Sequence, residues 1–103
     1  MNVSANIERH TMKKIHELMD KPSKWTRFAL GRDGRSRKLG YKELDQAVRC
    51  CAIGWIYKVY GDGKRGERVK EKVRKRLNLY WITEWNDRAT FQEVHSVFKE
   101  LGL

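Results

Sequence analysis

The longest helical pattern of apolar and polar positions runs from Tyr41 to Tyr60. At 100° per residue, Leu44, Ala47, Val48, Cys51, Ala52, Trp55, Ile56 and Val59 fall on one broad stripe, the spacing of a helix packed on a core. Lys42, Glu43, Asp45, Gln46 and Arg49 keep the far side of its first half polar, but from Cys50 onward Ile53, Tyr57 and Tyr60 close that side too. A helix that is apolar nearly all round is covered on several sides, so the second half of this segment is predicted to be the centre of the fold. Gly61 follows as a residue able to end the helix in a left-handed conformation.

Three further helices are predicted around it. Val3, Ile7, Thr11, Ile15 and Leu18, widened by Met12 and Met19, make a stripe behind a Ser4 cap, and the only proline, Pro22, marks its end. Val69, Val73, Leu77 and Tyr80 make a stripe in the segment from Glu67 to about Ile82, although Leu79 to Thr83 reads equally well as extended. Thr90 and Glu93 form a capping box ahead of Phe91, Val94, Val97, Phe98 and Leu101, and Gly102 ends that helix.

Between the first helix and the central one the rhythm changes. Trp25 to Leu30 has strand propensity, Asp33-Gly34 is a preferred tight-turn pair, and Ser36 to Leu39 can return antiparallel. A lone hairpin is marginal in water, so Trp25, Phe28 or Leu30 is expected to dock on the helices. The expected fold is mainly α within an α+β class: about four helices around a central helix 41–60, with a small β-hairpin near 25–39, in a single domain over 1–103.

Composition narrows this picture. With 103 residues, 40% of them hydrophobic, the chain suffices for one core without covalent staples. Its apolar runs are a few residues long against the ~20 that span a bilayer, and no charged n-region with an apolar h-region opens it. No membrane association is expected, and the expected location is cytoplasmic. The two cysteines, Cys50 and Cys51, are adjacent; a bridge between them would close a small strained ring and crosslink nothing, which points to a reducing compartment.

Charge changes the picture most. The formal net charge is +10, with +6 between Lys24 and Lys42, +5 between Gly61 and Tyr80, and −1 elsewhere. Positive charge confined to two segments attracts polyanions or acidic protein faces. The candidate contact residues are Arg27, Arg32, Arg35, Arg37 and Lys38 of the hairpin, with Lys64, Arg65, Arg68, Lys72 and Lys75 of the glycine-rich connector and third helix. No helix-turn-helix, zinc-finger or RNP-like signature accompanies them, so contact through phosphates is expected rather than reading of bases.

Chemistry-bearing residues add little. Cys51, His95 and Asp87 are the ingredients of an activated thiol, yet Cys51 lies on the core stripe and reads as a small hydrophobe, so no enzyme activity is expected. His10, His16 and Cys50 match no zinc spacing, and neither a metal nor another cofactor is expected. The connector Gly61 to Gly66 lacks the GxxxxGK[ST] arrangement and follows a helix, so it reads as a flexible turn. Trp85-Asn86-Asp87-Arg88 has two readings. It is either a recognition loop or, preferred, a turn in which Asn86 and Asp87 hydrogen-bond the local backbone ahead of the Thr90 cap.

Three features taken together carry a resemblance: a Trp-containing segment with a glycine-rich turn (Trp25 to Gly34), a Cys-Ala-Ile-Gly run within a helix (Cys51 to Gly54), and Trp-Asn-Asp followed by Thr-x-x-Glu-Val (Trp85 to Asp87, Thr90 to Val94). The chain resembles, from about Trp25 to Leu101, a family of small uncharacterised bacterial, phage and plasmid proteins. The basic helix Glu67 to Arg76 departs from that pattern. The resemblance implies a phage or mobile-element context and no activity, ligand or catalytic residue. The expected function is that of a small basic, non-enzymatic protein that associates with nucleic acid. The alternative is an accessory or inhibitor that meets an acidic face of a host protein through the same residues.

Overall fold

In the computed structural model, which describes residues 13–103, the segment 41–60 divides at Cys51. Tyr41–Gln46 is a 3-10 helix, Arg49–Cys50 is a strand, and only Ala52–Tyr60 is α-helical. The central helix is thus 52–60 rather than 41–60. Of the buried residues of the first half only Leu44 lies in the 3-10 turn, Ala47 being extended and Cys50 in the strand, whereas Val48, needed on an α stripe, is 53% exposed. Val48 N–H donates to Arg32 O at 2.9 Å and Cys51 N–H to Leu30 O at 3.0 Å. Peptide groups that a helix would satisfy internally are here satisfied by a neighbouring segment.

The helices are α1 (Ile15–Leu18), α2 (Ala52–Tyr60), α3 (Lys64–Leu77), α4 (Ile82–Arg88) and α5 (Phe91–Glu100). As expected, the second half of 41–60 is central: α2 packs on α3, α4, α1 and the 41–46 turn. Cys51 caps it by accepting from Gly54 N–H through Sγ, and Ala52 and Ile56 are fully buried. Removing Ile56 from water contributes about 1.5–3 kcal/mol. Ser4 and the stripe residues Val3, Ile7, Thr11 and Met12 lie outside the described residues. Where the pattern predicts one helix to about Met19, the described residues form only the short α1, which begins after the extended Lys14; its Ile15 joins Met19, Val94, Phe98 and Leu103 in the core.

Around the turn the hairpin forms in shortened shape. Strand β1 (Gly31–Arg32) lies between β2 (Lys38–Leu39) and β3 (Arg49–Cys50), both antiparallel, with Gly31 opposite Leu39 and Cys50. The connection is not a two-residue turn on Asp33-Gly34. Asp33 Oδ1 accepts from the N–H groups of Arg35 and Arg37, and Ser36 takes φ 67°, so one side chain organises the loop. Those amides, with the Arg37 guanidinium, hold the Asp33 carboxyl below its ordinary pKa. Trp25 to Leu30 forms no strand beyond a bridge from Trp25 to Cys50, because Phe28 sits at φ 63°. The class remains mainly α with a small antiparallel sheet, as expected.

That irregular segment is fixed by α4, where the sequence suggested a loop over 85–88. Asn86 is fully buried within α4, and its Oδ1 accepts from Trp25 Nε1 at 2.7 Å and Ala52 N–H at 2.9 Å. Its Nδ2 donates to Thr26 O at 3.1 Å and Asp87 Oδ1 at 3.3 Å. The expected turn in which Asn86 bonds the local backbone is therefore not formed: the residue is helical and its backbone partners, Thr26 and Ala52, belong to remote segments. Asp87 Oδ1 also accepts from Phe28 N–H at 2.9 Å.

The third helix starts and stops earlier than its stripe suggested. Lys64 to Gly66 belong to α3 and not to a flexible connector, because Gly66 lies against the end of α2, where an added Cβ would stand 1.8 Å from Gly61 O. Asn78, at φ 55°, ends α3: its N–H bonds back to Lys75 O and that of Leu79 to Arg74 O, which satisfies two of the carbonyls in the last turn. Among the described residues no helix is long and apolar enough to cross a membrane.

Two stability measurements check this account. Asn86→Ala strands Trp25 Nε1, Ala52 N–H and Thr26 O in the interior and should cost about 3 kcal/mol or more in urea unfolding. A loss under about 1 kcal/mol would mean that water replaces the amide. Thr90 Oγ1 accepts from Glu93 N–H, and Glu93 Oε1 from Thr90 N–H, so the capping box is present. Thr90→Ala should cost about 1 kcal/mol in the same titration, and an unchanged midpoint would contradict the cap.

Candidate nucleic-acid interface

Helix α3 carries eight of the basic residues and two acidic ones in fourteen positions. Gly66, Val69 and Val73 are its buried residues, and this stripe faces α2 and α4. Lys64, Arg68, Lys72 and Lys75 lie at i, i+4, i+8 and i+11, within about 80° of arc on the side away from that stripe. All four are exposed, and none forms an ion pair with another described residue. They extend along about 17 Å of helix.

The other cations of α3 are engaged. Lys70 pairs with Glu67 at 2.8 Å and donates to Tyr57 Oη at 3.1 Å; burial works against its charge, but these partners outweigh it and raise its pKa. Arg74 pairs with Glu71 and donates to Tyr80 O, and Arg76 makes a two-pronged pair with Glu100, whose carboxyl it holds below the ordinary value. Arg65 lies over the Tyr60 ring, 5.1 Å from its centroid.

The hairpin divides in the same way. Arg27 stacks on Trp25 at 5.0 Å and donates to Ala89 O; Arg32 donates to Thr26 Oγ1, Ser36 O and Arg27 O; Arg37 pairs with Asp33 at 2.8 Å. Arg35 and Lys38 are exposed without an ion pair among the described residues. The hairpin packs mainly on the 41–46 turn and β3, and α3 mainly on α2 and α4. The two basic segments are thus seated on different neighbours.

In the 85–88 run, Trp85 is half-buried against the core, Asn86 and Asp87 hold the 25–28 segment, and exposed Arg88 donates to Glu84 O at 3.4 Å. Sequence reasoning missed a different pair, Tyr80 and Trp81. Tyr80 was expected on the buried stripe of the third helix, but Asn78 ends that helix, and Tyr80 and Trp81 are 83% and 65% exposed. The signal available was Asn78 itself, a residue tolerant of the left-handed region directly after the basic run.

The residues considered for chemistry do not assemble. Asp87 lies near Cys51, but its charge disfavours the thiolate, adding to the burial that already raises the thiol's pKa. His95 Nε2 lies 3.0 Å from His16 O, and its ring contacts Phe91. Burial pushes the Cys50 thiol up to about 11. His10 lies outside the described residues, and among those described no three His, Cys, Asp or Glu side chains are grouped to hold a metal. Comparison with family models, with curated proteins and with solved structures returned no match.

Thiol reactivity checks the burial of both cysteines. At pH 8 the native protein should resist an aromatic disulfide reagent, and both thiols should react at once in denaturant. Rapid modification of Cys51 without unfolding would contradict its place at the α2 cap.

Proposed function

We propose that this protein is a small non-enzymatic binding module that associates with nucleic acid through the phosphate backbone. The observation that supports this is the stripe of Lys64, Arg68, Lys72 and Lys75: four exposed cations on one helix face, unpaired among the described residues, while neighbouring cations are held by Glu67, Glu71 and Glu100. A mixed surface that merely keeps a domain in solution intersperses both signs, and this face does not. Four cations along about 17 Å of helix give a line of positive charge long enough to face several successive phosphates.

Arg35 and Lys38 are secondary contacts on this reading, Arg27 and Arg32 are engaged within the fold, and Arg37, though paired with Asp33, stays exposed. The alternative partner, an acidic protein face, suits the same stripe; a phage or mobile-element setting, implied by the resemblance, supplies both kinds. They separate experimentally. Binding of labelled DNA or RNA should weaken steeply with salt, because each neutralised phosphate releases counterions. Replacing Lys64, Arg68, Lys72 and Lys75 by Ala should reduce the magnitude of the log–log salt slope by about 3 and leave the melting curve in place. The Arg35→Ala, Lys38→Ala variant should change it by about 2 at most. No binding to any strand at micromolar protein would leave the acidic protein partner in front.

A further inference from the structure

Tyr80 and Trp81 form an exposed aromatic pair beside the end of α3. Among the described residues the large exposed hydrophobic side chains are Phe28, Tyr41, Val48, Tyr80 and Trp81, and only the last two are adjacent in the chain. Trp81 is the extended residue directly before α4, and Arg74 Nε donates to Tyr80 O at 3.2 Å, so the pair is tied to the basic helix by its backbone. With Ile53, Ile82, Lys70 and Arg74 the two rings border an open cleft of about 370 Å³. Arg74 is followed by Lys75 of the stripe, about 100° further round the helix. The cleft therefore lies along the flank of α3, about a quarter-turn round from the cation stripe.

The cleft and the stripe differ in charge. Glu67 and Glu71, which also border the cleft, are paired with Lys70 and Arg74, so the cleft carries no excess of either sign. A polyanion is drawn to the stripe and not into the cleft, whereas a flat neutral group gains there from two exposed rings. The molecule that presents a charged backbone and, within one residue's reach, unpaired flat rings is a single-stranded nucleic acid. In a duplex the same faces are already stacked on one another and are not offered.

We propose that Tyr80 and Trp81 form a base-stacking platform beside the cation stripe of α3, and that the nucleic acid bound is single-stranded. The proposal rests on the phosphate-binding reading of the stripe. Ring stacking is indifferent to base identity, so it adds preference for unpaired strands without adding sequence preference.

The test compares a labelled oligo(dT) with a DNA hairpin of equal phosphate number, at one salt concentration, using the whole chain. The parent should bind oligo(dT) more tightly. The Tyr80→Ala, Trp81→Ala variant should lose about tenfold or more on oligo(dT) and under about twofold on the hairpin, while Trp81→Phe should keep most of the preference. Circular dichroism and melting should be unchanged by the conservative variant, which separates stacking from folding if the alanine pair proves unstable. Unaltered oligo(dT) binding by the alanine variant, or equal losses on both strands, would overturn the platform and leave the charge stripe standing. No binding of either strand by the parent would overturn both. Self-association abolished by Trp81→Ala, with no strand preference in the parent, would instead make the pair a contact between copies and overturn the proposal.

Discussion

One buried amide holds the two halves of the chain together. Asn86 offers two donor hydrogens and two acceptor positions, and all four are met: by Trp25, Thr26, Ala52 and Asp87. Because it sits where water does not reach, each bond is worth more than at the surface, and each partner would be stranded without it. The irregular path of 25–30 has no regular ladder of its own. It keeps its shape because Asn86, Asp87 and the Ala89 carbonyl receive its polar groups, and the sheet and the start of α2 are then placed against it.

Much of this architecture was legible in the residues, and the failures have physical causes. The Thr90 box, the buried faces of α3 and α5 and the central place of Trp55 and Ile56 follow from local chemistry and periodicity. The division at Cys51 does not, because three-residue and 3.6-residue spacing cannot be told apart over six positions; the backbone of β1, some twenty residues earlier, decides. The role of Asn86 was hidden for a related reason. An Asn between two apolar stretches usually serves a nearby turn, and nothing local says that its partners are Trp25 and Ala52.

Charge shows the same division between count and placement. Both basic segments looked alike as composition. In the fold, Arg27, Arg32 and Arg37 are bound to carbonyls, a hydroxyl and Asp33, whereas Lys64, Arg68, Lys72 and Lys75 face outward from one helix. The separation arises because α3 is regular: residues four apart must share a face, and the acids at Glu67 and Glu71 fall on its flank. The hairpin arginines have no such periodicity and meet the acceptors that an irregular backbone leaves free.

The seating of α2 follows from two absent atoms, one on its own Gly54 and one on Gly66 of α3. A Cβ on Gly54 would stand 2.0 Å from Leu30 O, and one on Gly66 would stand 1.8 Å from Gly61 O, so backbone meets backbone near both ends of a nine-residue helix. Contacts of that kind have no rotamers with which to adjust. The axial position of α2 is therefore limited by steric fit to main chain at Gly54 and Gly66, whereas Ile53 and Tyr57 meet side chains, such as Lys70 and Tyr41, that can shift to accommodate a change.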